Sequence, residues 1–331
     1  MLSNDAPTDQ LPFTKEELQD LIANHLGPDR VPRQLRIIID TTDFFRVDYD
    51  DVVILGRRPF LIRNNEREGR FGIDDEQKFW VKRAIDLMDG TTKILKLTFH
   101  ERFLARVGEL HFECFRSPQK EARILDIVKG HSKFMQGFSM KDSVGNVVRI
   151  IDYITGRTMA DSVMGLGLNH EDYFYRYFPS VLDEYIELVA AIKFLHEHGE
   201  KHGDIRRDHI LKDKHSGECR WIDFDFNYLH KENMFGYDLF GLGNILAYLT
   251  GRGDVTDQQL KQSGSPVFDQ LTKNDMNIIF KNRVVNLKKV YPYIPEALNF
   301  ILLHFSMSAN IFYEDCDQLL ADLHEIRKEM V

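Results

Sequence analysis

The amino-acid sequence predicts an α+β protein with two lobes, a small antiparallel β-sheet followed by a mainly helical half. The chain has 331 residues, a length that suits two cores. Residues 59–99 contain three β-rich runs separated by turn-forming residues, which is typical of antiparallel strands. Residues 156–331 carry apolar side chains at helical spacing, most clearly over 180–198.

The composition is that of an ordinary globular protein, with 43% hydrophobic and 29% charged residues. No uninterrupted apolar run approaches ~20 residues, so we expect no membrane-spanning helix. The N-terminus lacks the features of a secretory signal, and the three cysteines are widely spaced, which predicts reduced thiols in a cytoplasmic protein. The net charge of −9 argues against a nucleic-acid partner.

Residues 1–58 form an N-terminal extension to which the sequence assigns no function. Thr14 and Glu17 have the spacing of a capping box, which predicts a helix through about Leu26. Two short strands are predicted further on, over residues 35–39 and 52–55.

Residues 59–155 are predicted to form the first lobe. Its first three strands are expected over 59–63, 78–87 and 91–99. Gly69 and Gly72 lie in the polar connection between the first two strands, where their backbone amides can approach a phosphate; a plain hairpin connection explains them equally well. Lys96 stands between two leucines on the third strand, so it points to the opposite face from both, and the ordinary alternative is a solvent-facing lysine.

The rest of this lobe has a longer connection over residues 100–115, in which an extra helix fits. A serine-proline pair then begins an amphipathic helix with Glu121 in its first turn. Glu121 is the candidate partner of Lys96, with Glu113 as a weaker competitor; a glutamate in water is the alternative. A buried strand over 147–152 leads into a glycine turn, where the two lobes are predicted to join.

The second lobe, residues 156–331, contains the carboxylates that carry the predicted chemistry. Asp204 follows a His-Gly turn, Asp223 ends a strand-like run, and Asp238 begins an apolar helix and is expected to anchor the loop of Asp204. Phosphoryl transfer from a nucleotide needs a loop carboxylate to orient the acceptor hydroxyl and further polar ligands to hold Mg²⁺ against the phosphates. The ordinary alternatives are an aspartate that caps its own turn and a strand carboxylate in water.

These segments (KHGDIRRDHIL, RWIDFDF, YDLFGLGNILAYL, and ILKL with KEARILDIV upstream) resemble the protein-kinase-like superfamily. The HGD form is closer to the atypical members, such as RIO kinases, lipopolysaccharide kinases and aminoglycoside phosphotransferases, and to bacterial Ser/Thr kinase-like proteins. The resemblance covers about residues 59–331. It implies a kinase-like fold, with the glutamate helix in the small lobe.

The resemblance also implies a role for each matching position. The implied catalytic group comprises Asp204 as base, Lys96 as the phosphate-binding lysine and Glu121 as the partner that holds its amine at the phosphates. The implied nucleotide contacts are Gly69, Gly72, Lys96 and the backbone of Asp152 and Tyr153. The implied metal ligands are Asp223, His209 and Asp225.

Two positions depart from the family's pattern. His209 stands where the family has a metal-binding asparagine; it is either a ligand that favours Mn²⁺, or Asp208 turns inward instead. Asp225 replaces the glycine of Asp-Phe-Gly; it either helps to hold a second ion or points to solvent. The neighbouring pair Arg206-Arg207 is read equally well as an anion-binding pair and as a solvated loop.

The resemblance predicts an ATP-dependent phosphotransferase that uses Mg²⁺ or Mn²⁺ and moves the γ-phosphate to a hydroxyl. The segment 225–238 is short and contains no serine or threonine, so regulation by phosphorylation there is not expected. The acceptor is a small molecule, a lipid-linked sugar or one specific protein, with a protein Ser/Thr included. The alternatives are an ATP-binding pseudokinase that acts as a scaffold, and transfer of AMP.

Overall fold

The computed structural model describes residues 11–70, 73–107, 110–229 and 233–330. Thirteen strands lie in these ranges. In chain order they are β1 Ile37–Ile38, β2 Val52–Leu55, β3 Arg58–Arg70, β4 Ile73–Asp86, β5 Thr92–Lys96, β6 Arg102–Val107, β7 Leu110–Arg116, β8 Gly137–Lys141, β9 Val147–Asp152, β10 Gly156–Thr158, β11 Ile210–Asp213, β12 Cys219–Trp221 and β13 Phe226–Tyr228.

Ten α-helices lie in the same ranges. They are α1 Lys15–Leu26, α2 Pro118–Ile127, α3 Met159–Met164, α4 His170–Arg176, α5 Phe178–Glu197, α6 Gly236–Thr250, α7 Asp257–Gln262, α8 Leu287–Val290, α9 Glu296–Leu303 and α10 Cys316–Glu329. This mixed content agrees with the predicted α+β class. Within the described residues, no helix combines the length and the apolar character needed to cross a bilayer.

The chain divides into two compact units. The first comprises the residues up to Phe99 together with Gly137–Tyr153, and the second comprises His100–Gln136 together with the residues from Ile154 onward. The first lobe was predicted over residues 59–155, and these lobe boundaries stay a prediction; within that range β6, β7 and α2 group with the second unit. The reason is backbone pairing, since β7 forms an antiparallel ladder with β13.

The first unit is built on one seven-stranded sheet with the order β1-β2-β3-β4-β5-β9-β8, in which only β1 and β2 pair in parallel. Successive residues of β2 point to opposite faces. Val53 belongs to the core on one face, which includes residues of β3, β5 and β9. Val52 belongs to the other core, where Leu18 and Ile22 of α1 pack. The N-terminal extension therefore completes the core of this unit.

The helix of the extension begins as predicted. The Thr14 side chain accepts the backbone N–H of Glu17, and the Glu17 carboxylate accepts the N–H of Thr14, so the capping box is confirmed. The helix ends at Leu26.

Two predicted connections are wrong. Residues 64–70 and 73–76, predicted to lie in a polar connection, belong to β3 and β4, and the cross-strand ion pair Arg83–Glu66 (2.7 Å) links the two strands. The stretch over 100–115, predicted to admit an extra helix, forms the β6–β7 hairpin instead. In both cases strand pairing, which is non-local, decides the structure.

The second unit is mostly helical and is centred on α5 and α6. Tyr185 of α5 donates its hydroxyl hydrogen to the carbonyl oxygen of Leu242 in α6 (2.7 Å). Gly241 of α6 lies so close to Ile205 that an added Cβ would stand 2.6 Å from that side chain. A glycine at this position therefore allows α6 to pack closely against Ile205.

Candidate functional site

The loop between α5 and β11 carries Asp204, and Asp238 of α6 fixes this loop. The buried Asp238 carboxylate accepts the backbone N–H groups of His202 (2.7 Å) and Gly203 (2.9 Å). Burial alone would raise the pKa of Asp238, but hydrogen bonds and the charge of His196 outweigh it and lower the pKa. The predicted anchoring role of Asp238 is confirmed.

The His-Gly turn before Asp204 has a steric reason. Gly203 has a φ of +87°, and a Cβ at this position would lie 2.0 Å from the carbonyl oxygen of Phe226 in β13. His202 is completely buried, and burial lowers the pKa of its imidazole to about 3. Its Nδ1 accepts the backbone N–H of Asp204 (3.3 Å), so this histidine braces the loop.

His209 lies between the two predicted functional aspartates. Its Nδ1 is 2.8 Å from the carbonyl oxygen of Asp204, and this oxygen can only accept, so Nδ1 carries a hydrogen. The Asp204 carboxylate lies 3.6 Å from Nδ1, and the Asp223 carboxylate lies 3.6 Å from Nε2. Burial raises the pKa of Asp204, although His209 and Arg206 act in the opposite direction. A carboxylate of raised pKa is a better proton acceptor.

Three carboxylates form a cluster beside this histidine. Ligand oxygens of Glu121, Asp223 and Asp225 all lie within 4.8 Å of one another. Glu121 and Asp225 are completely buried, and Asp223 has a φ of +63°, a left-handed conformation that aspartate tolerates better than most residues. Carboxylate oxygens at this separation fit a hard divalent cation such as Mg²⁺.

The composition of the cluster revises the predicted metal site. Asp223 and Asp225 lie in this cluster, and their binding of a metal ion stays a prediction; the alternative that Asp225 points to solvent is wrong, because its side chain is buried. Glu121, predicted only as a partner of Lys96, lies in the cluster as well; its pairing with Lys96 stays a prediction. Glu113 lies instead on β7, where its side chain is 44% exposed and 3.3 Å from Arg102.

Arg116 offsets part of this negative charge. Its Nη1 lies 2.6 Å from Asp225 Oδ2, and its guanidinium stacks over the ring of Phe226 at 4.1 Å. Burial alone would lower the pKa of Arg116, but Asp225 and Asp223 outweigh it and raise the pKa. Arg116 could not be predicted from the sequence, because only the fold brings it to Asp225.

Lys120 is a second buried cation that the sequence analysis missed. It precedes Glu121 in the first turn of α2, and its Nζ donates to the carbonyl oxygens of His202 (2.8 Å), Phe224 (3.1 Å) and Phe226 (2.5 Å). Burial lowers its pKa to about 8. The only local signal was a lysine on the side of an amphipathic helix that also carries a buried glutamate.

The arginine pair after Asp204 is engaged in ion pairs. Arg206 forms a two-pronged pair with Asp208, and Arg207 lies 2.6 Å from Asp254. Asp208 therefore faces Arg206, and its alternative role at the metal stays a prediction. The partial neutralisation of both guanidinium groups weakens the interpretation that they form an anion site.

The remaining predicted residues belong to the first unit. Lys96 is only 2% exposed, so a solvent-facing lysine is excluded, and the neighbouring leucines pack on the opposite face as predicted. Asp152 ends β9 and pairs with Lys93 (2.6 Å), and the ring of Tyr153 lies under the guanidinium of Arg83 at 4.5 Å.

Of the two glycines predicted to approach phosphate, Gly69 lies in β3, and Gly72 lies outside the described residues. The phosphate contacts of Gly69, Gly72 and Lys96 and the hinge role of Asp152 and Tyr153 stay predictions.

Comparison with known proteins finds similarity to protein kinases. The chain is 22% identical over 216 residues to a protein assigned as ribosomal protein S6 kinase alpha-2 of Caenorhabditis elegans, covering 64% of this chain and 23% of that protein. It is 23% identical over 152 residues to CBL-interacting protein kinase 33 of Oryza sativa subsp. japonica, covering 46% and 30%. It is 25% identical over 114 residues to CBL-interacting serine/threonine-protein kinase 3 of Arabidopsis thaliana, covering 34% and 24%.

The chain thus spans less than a third of the length of each of these relatives. No protein-family model matches it. The relatives are named as kinases, which does not favour the pseudokinase alternative. They give no support to the atypical HGD subtype in particular. At the general level, the similarity supports a protein of the kinase-like superfamily.

Proposed function

We propose that the protein is an ATP-dependent phosphotransferase with a two-lobed, atypical kinase-like fold, which moves the γ-phosphate of ATP to a hydroxyl group. The observation that carries this proposal is the position of His209, whose two ring nitrogens each lie 3.6 Å from a carboxylate, one of Asp204 and the other of Asp223. A candidate base and a candidate metal ligand are thereby held on either side of one buried ring. Phosphoryl transfer requires this pair of functions side by side.

In this proposal Asp204 orients the acceptor hydroxyl and takes its proton. Its pKa is raised by burial, and its loop is fixed through Asp238, so the carboxylate is both basic and held in place. Lys96 places its amine at the α- and β-phosphates with Glu121 as its partner, and the backbone of Asp152 and Tyr153 faces the adenine base. These assignments follow the kinase-like pattern of the sequence.

The proposed cofactor besides ATP is a divalent cation. Asp223 and Asp225 would hold it, and their oxygen ligands suit Mg²⁺. In the neutral form of its ring, His209 would add Nε2 as a nitrogen ligand beside Asp223, which suits Mn²⁺ as the alternative ion. When bound, such an ion neutralises charge on the phosphates.

For the acceptor we propose the hydroxyl of a protein serine or threonine. The support is the name of the Arabidopsis thaliana relative, a serine/threonine-protein kinase. The segment 225–238 is short and offers little platform for an extended peptide, so one specific protein is favoured over a broad range of peptides. A small hydroxyl compound or a lipid-linked sugar is the competing class.

The test is turnover of γ-labelled ATP by the purified protein, in Mg²⁺ and separately in Mn²⁺, without acceptor and with a mixture of candidate protein and small-molecule acceptors. Asp204→Asn and Asp223→Asn are compared with Asp183→Asn, which removes an exposed carboxylate of the same unit whose partner is Arg327. Label transferred or released by wild type and Asp183→Asn, but not by the other two variants, supports the proposal. ATP binding without loss of γ-label in any mixture contradicts it, and transfer from α-labelled ATP points to AMP transfer.

A further inference from the structure

We propose that Lys120 is a positioning residue that fixes the loop of Asp204 against the segment that carries Asp223 and Asp225. The catalytic part of this inference rests on the function proposed above. Its geometric part rests only on contacts within the second unit.

The ammonium group of Lys120 forms three hydrogen bonds. A lysine ammonium group has three hydrogens to donate and no acceptor. Nζ of Lys120 lies within hydrogen-bond distance of three backbone carbonyl oxygens, those of His202, Phe224 and Phe226. Each donor hydrogen therefore has one acceptor, and the side chain is almost completely buried, at 1% exposure.

Two of the carbonyl groups that Lys120 binds lie close in the chain to the candidate site residues. His202 comes two residues before Asp204, and Phe224 lies between Asp223 and Asp225. One ammonium group thus binds the backbone on both sides of the candidate site. The N–H of His202 is held by Asp238 while its carbonyl oxygen is held by Lys120, so the peptide groups on both sides of this residue are fixed.

Burial of the Lys120 ammonium group has an energetic cost. An ammonium group that leaves water loses its hydration, and an apolar residue of similar length fills a buried position at lower cost. The three hydrogen bonds that join the backbone on both sides of the site therefore explain why a lysine stands at this position. Gly203 agrees with this interpretation, because a Cβ there would lie 3.2 Å from Nζ and would intrude on the contact.

The test compares Lys120→Met with Tyr173→Phe in the full chain. The control also removes a buried donor to a backbone carbonyl of the same unit, that of Leu249 at 2.7 Å, but from α4. Backbone amide exchange is followed over residues 200–208 and 222–228, and kcat and KM for ATP are measured on the same samples. A second variant, Lys120→Gln, keeps two donors on a shorter side chain and serves if the methionine variant does not fold.

We expect exchange in both segments of Lys120→Met to rise at least about tenfold, while Tyr173→Phe leaves both unchanged. Loss of position of reacting groups by about 1 Å costs on the order of 100-fold in rate, so we expect kcat to fall by about that factor with KM for ATP within about threefold of wild type. Wild-type exchange in both segments of Lys120→Met, or of Lys120→Gln in its place, overturns the inference. So does an unchanged kcat in an active protein. If wild type itself has no turnover, the proposed function fails, and exchange alone decides the role of Lys120.

Discussion

Arg116 and Asp225 form an ion pair that is almost completely removed from water, with Nη1 2.6 Å from Oδ2 and side-chain exposures of 2% and 1%. The pair connects the end of β7 to the residue before β13. Two charges buried together are not a strong source of stability compared with apolar residues of the same shape, but removing one of them leaves the other without compensation. The pair therefore predicts an asymmetric response to substitution.

We expect Arg116→Met to lower the free energy of unfolding by about 3–5 kcal/mol, because it leaves the Asp225 carboxylate buried without its cation. The double variant Arg116→Met/Asp225→Asn should recover at least about half of this loss. Urea unfolding measures both. The matched control is Arg327→Met, which breaks the exposed pair with Asp183 and should cost less than about 1 kcal/mol. Equal losses in Arg116→Met and Arg327→Met would show that the buried pair has no special role.

A second prediction concerns Asp238, whose carboxylate accepts two backbone N–H groups of the Asp204 loop. Asp238→Ala leaves both donors buried without an acceptor, at about 1–3 kcal/mol each, so we expect a total loss of about 2–6 kcal/mol. Asp238→Asn keeps one acceptor oxygen and should lose less. Thermal and urea unfolding measure whether Asp238→Ala loses more stability than Asp238→Asn. Asparagine as damaging as alanine would mean that the charge of Asp238 matters more than the number of its hydrogen bonds.

The parts of the fold that sequence predicted well are those set by neighbouring residues. The capping box of α1, the amphipathic face of α5 and the turn before Asp204 each depend on residues within a few positions of one another. The length of β3 and β4 depends instead on pairs such as Arg83 and Glu66, which lie far apart in the chain. A run of charged residues predicts a loop when its cross-strand partners are not known.

The candidate site likewise contains residues whose proximity the sequence indicates and residues whose contacts it does not indicate. Asp204, His209 and Asp223 fall in one short stretch whose spacing indicates their proximity, and the structure brings them together. Arg116 and Lys120 contact this stretch from more than eighty residues earlier in the chain. Nothing in their own surroundings in the sequence indicates those contacts, so their roles could not be predicted.

A third prediction concerns the loss of stability at low pH that depends on Asp142, which joins the N-terminal extension to the β8–β9 hairpin. Its carboxylate accepts the backbone N–H and the hydroxyl of Thr41 (2.8 Å each) and two N–H groups of Asn146. Burial alone would raise its pKa, but these hydrogen bonds outweigh burial and lower the pKa in the folded state. The stability that Asp142 contributes is therefore present above its unfolded pKa of about 3.9 and is lost as pH falls through the lower folded value.

We expect Asp142→Asn to be less stable than wild type at pH 7 by about 1–3 kcal/mol, with the difference narrowing as the pH falls below about 4. Urea unfolding between pH 7 and pH 3 measures this difference. Asp183→Asn, at an exposed pair, is the control and should follow wild type within about 1 kcal/mol. A difference that stays constant with pH would contradict the lowered pKa of Asp142.

The last prediction separates steric contact from backbone strain at Gly203. Gly203 and Gly217 both have left-handed backbones, with φ of +87° and +75°, but a Cβ would meet the Phe226 carbonyl oxygen at 2.0 Å in the first and nothing within 4 Å in the second. We expect Gly217→Ala to cost about 1–2 kcal/mol from strain alone. Gly203→Ala should cost clearly more and should also abolish any ATP turnover, because β13 or the Asp204 loop must move. Unfolding free energies and turnover of the two variants decide this, and equal losses with unchanged turnover would mean that the His-Gly-Asp turn owes its glycine to backbone strain and not to the contact with Phe226.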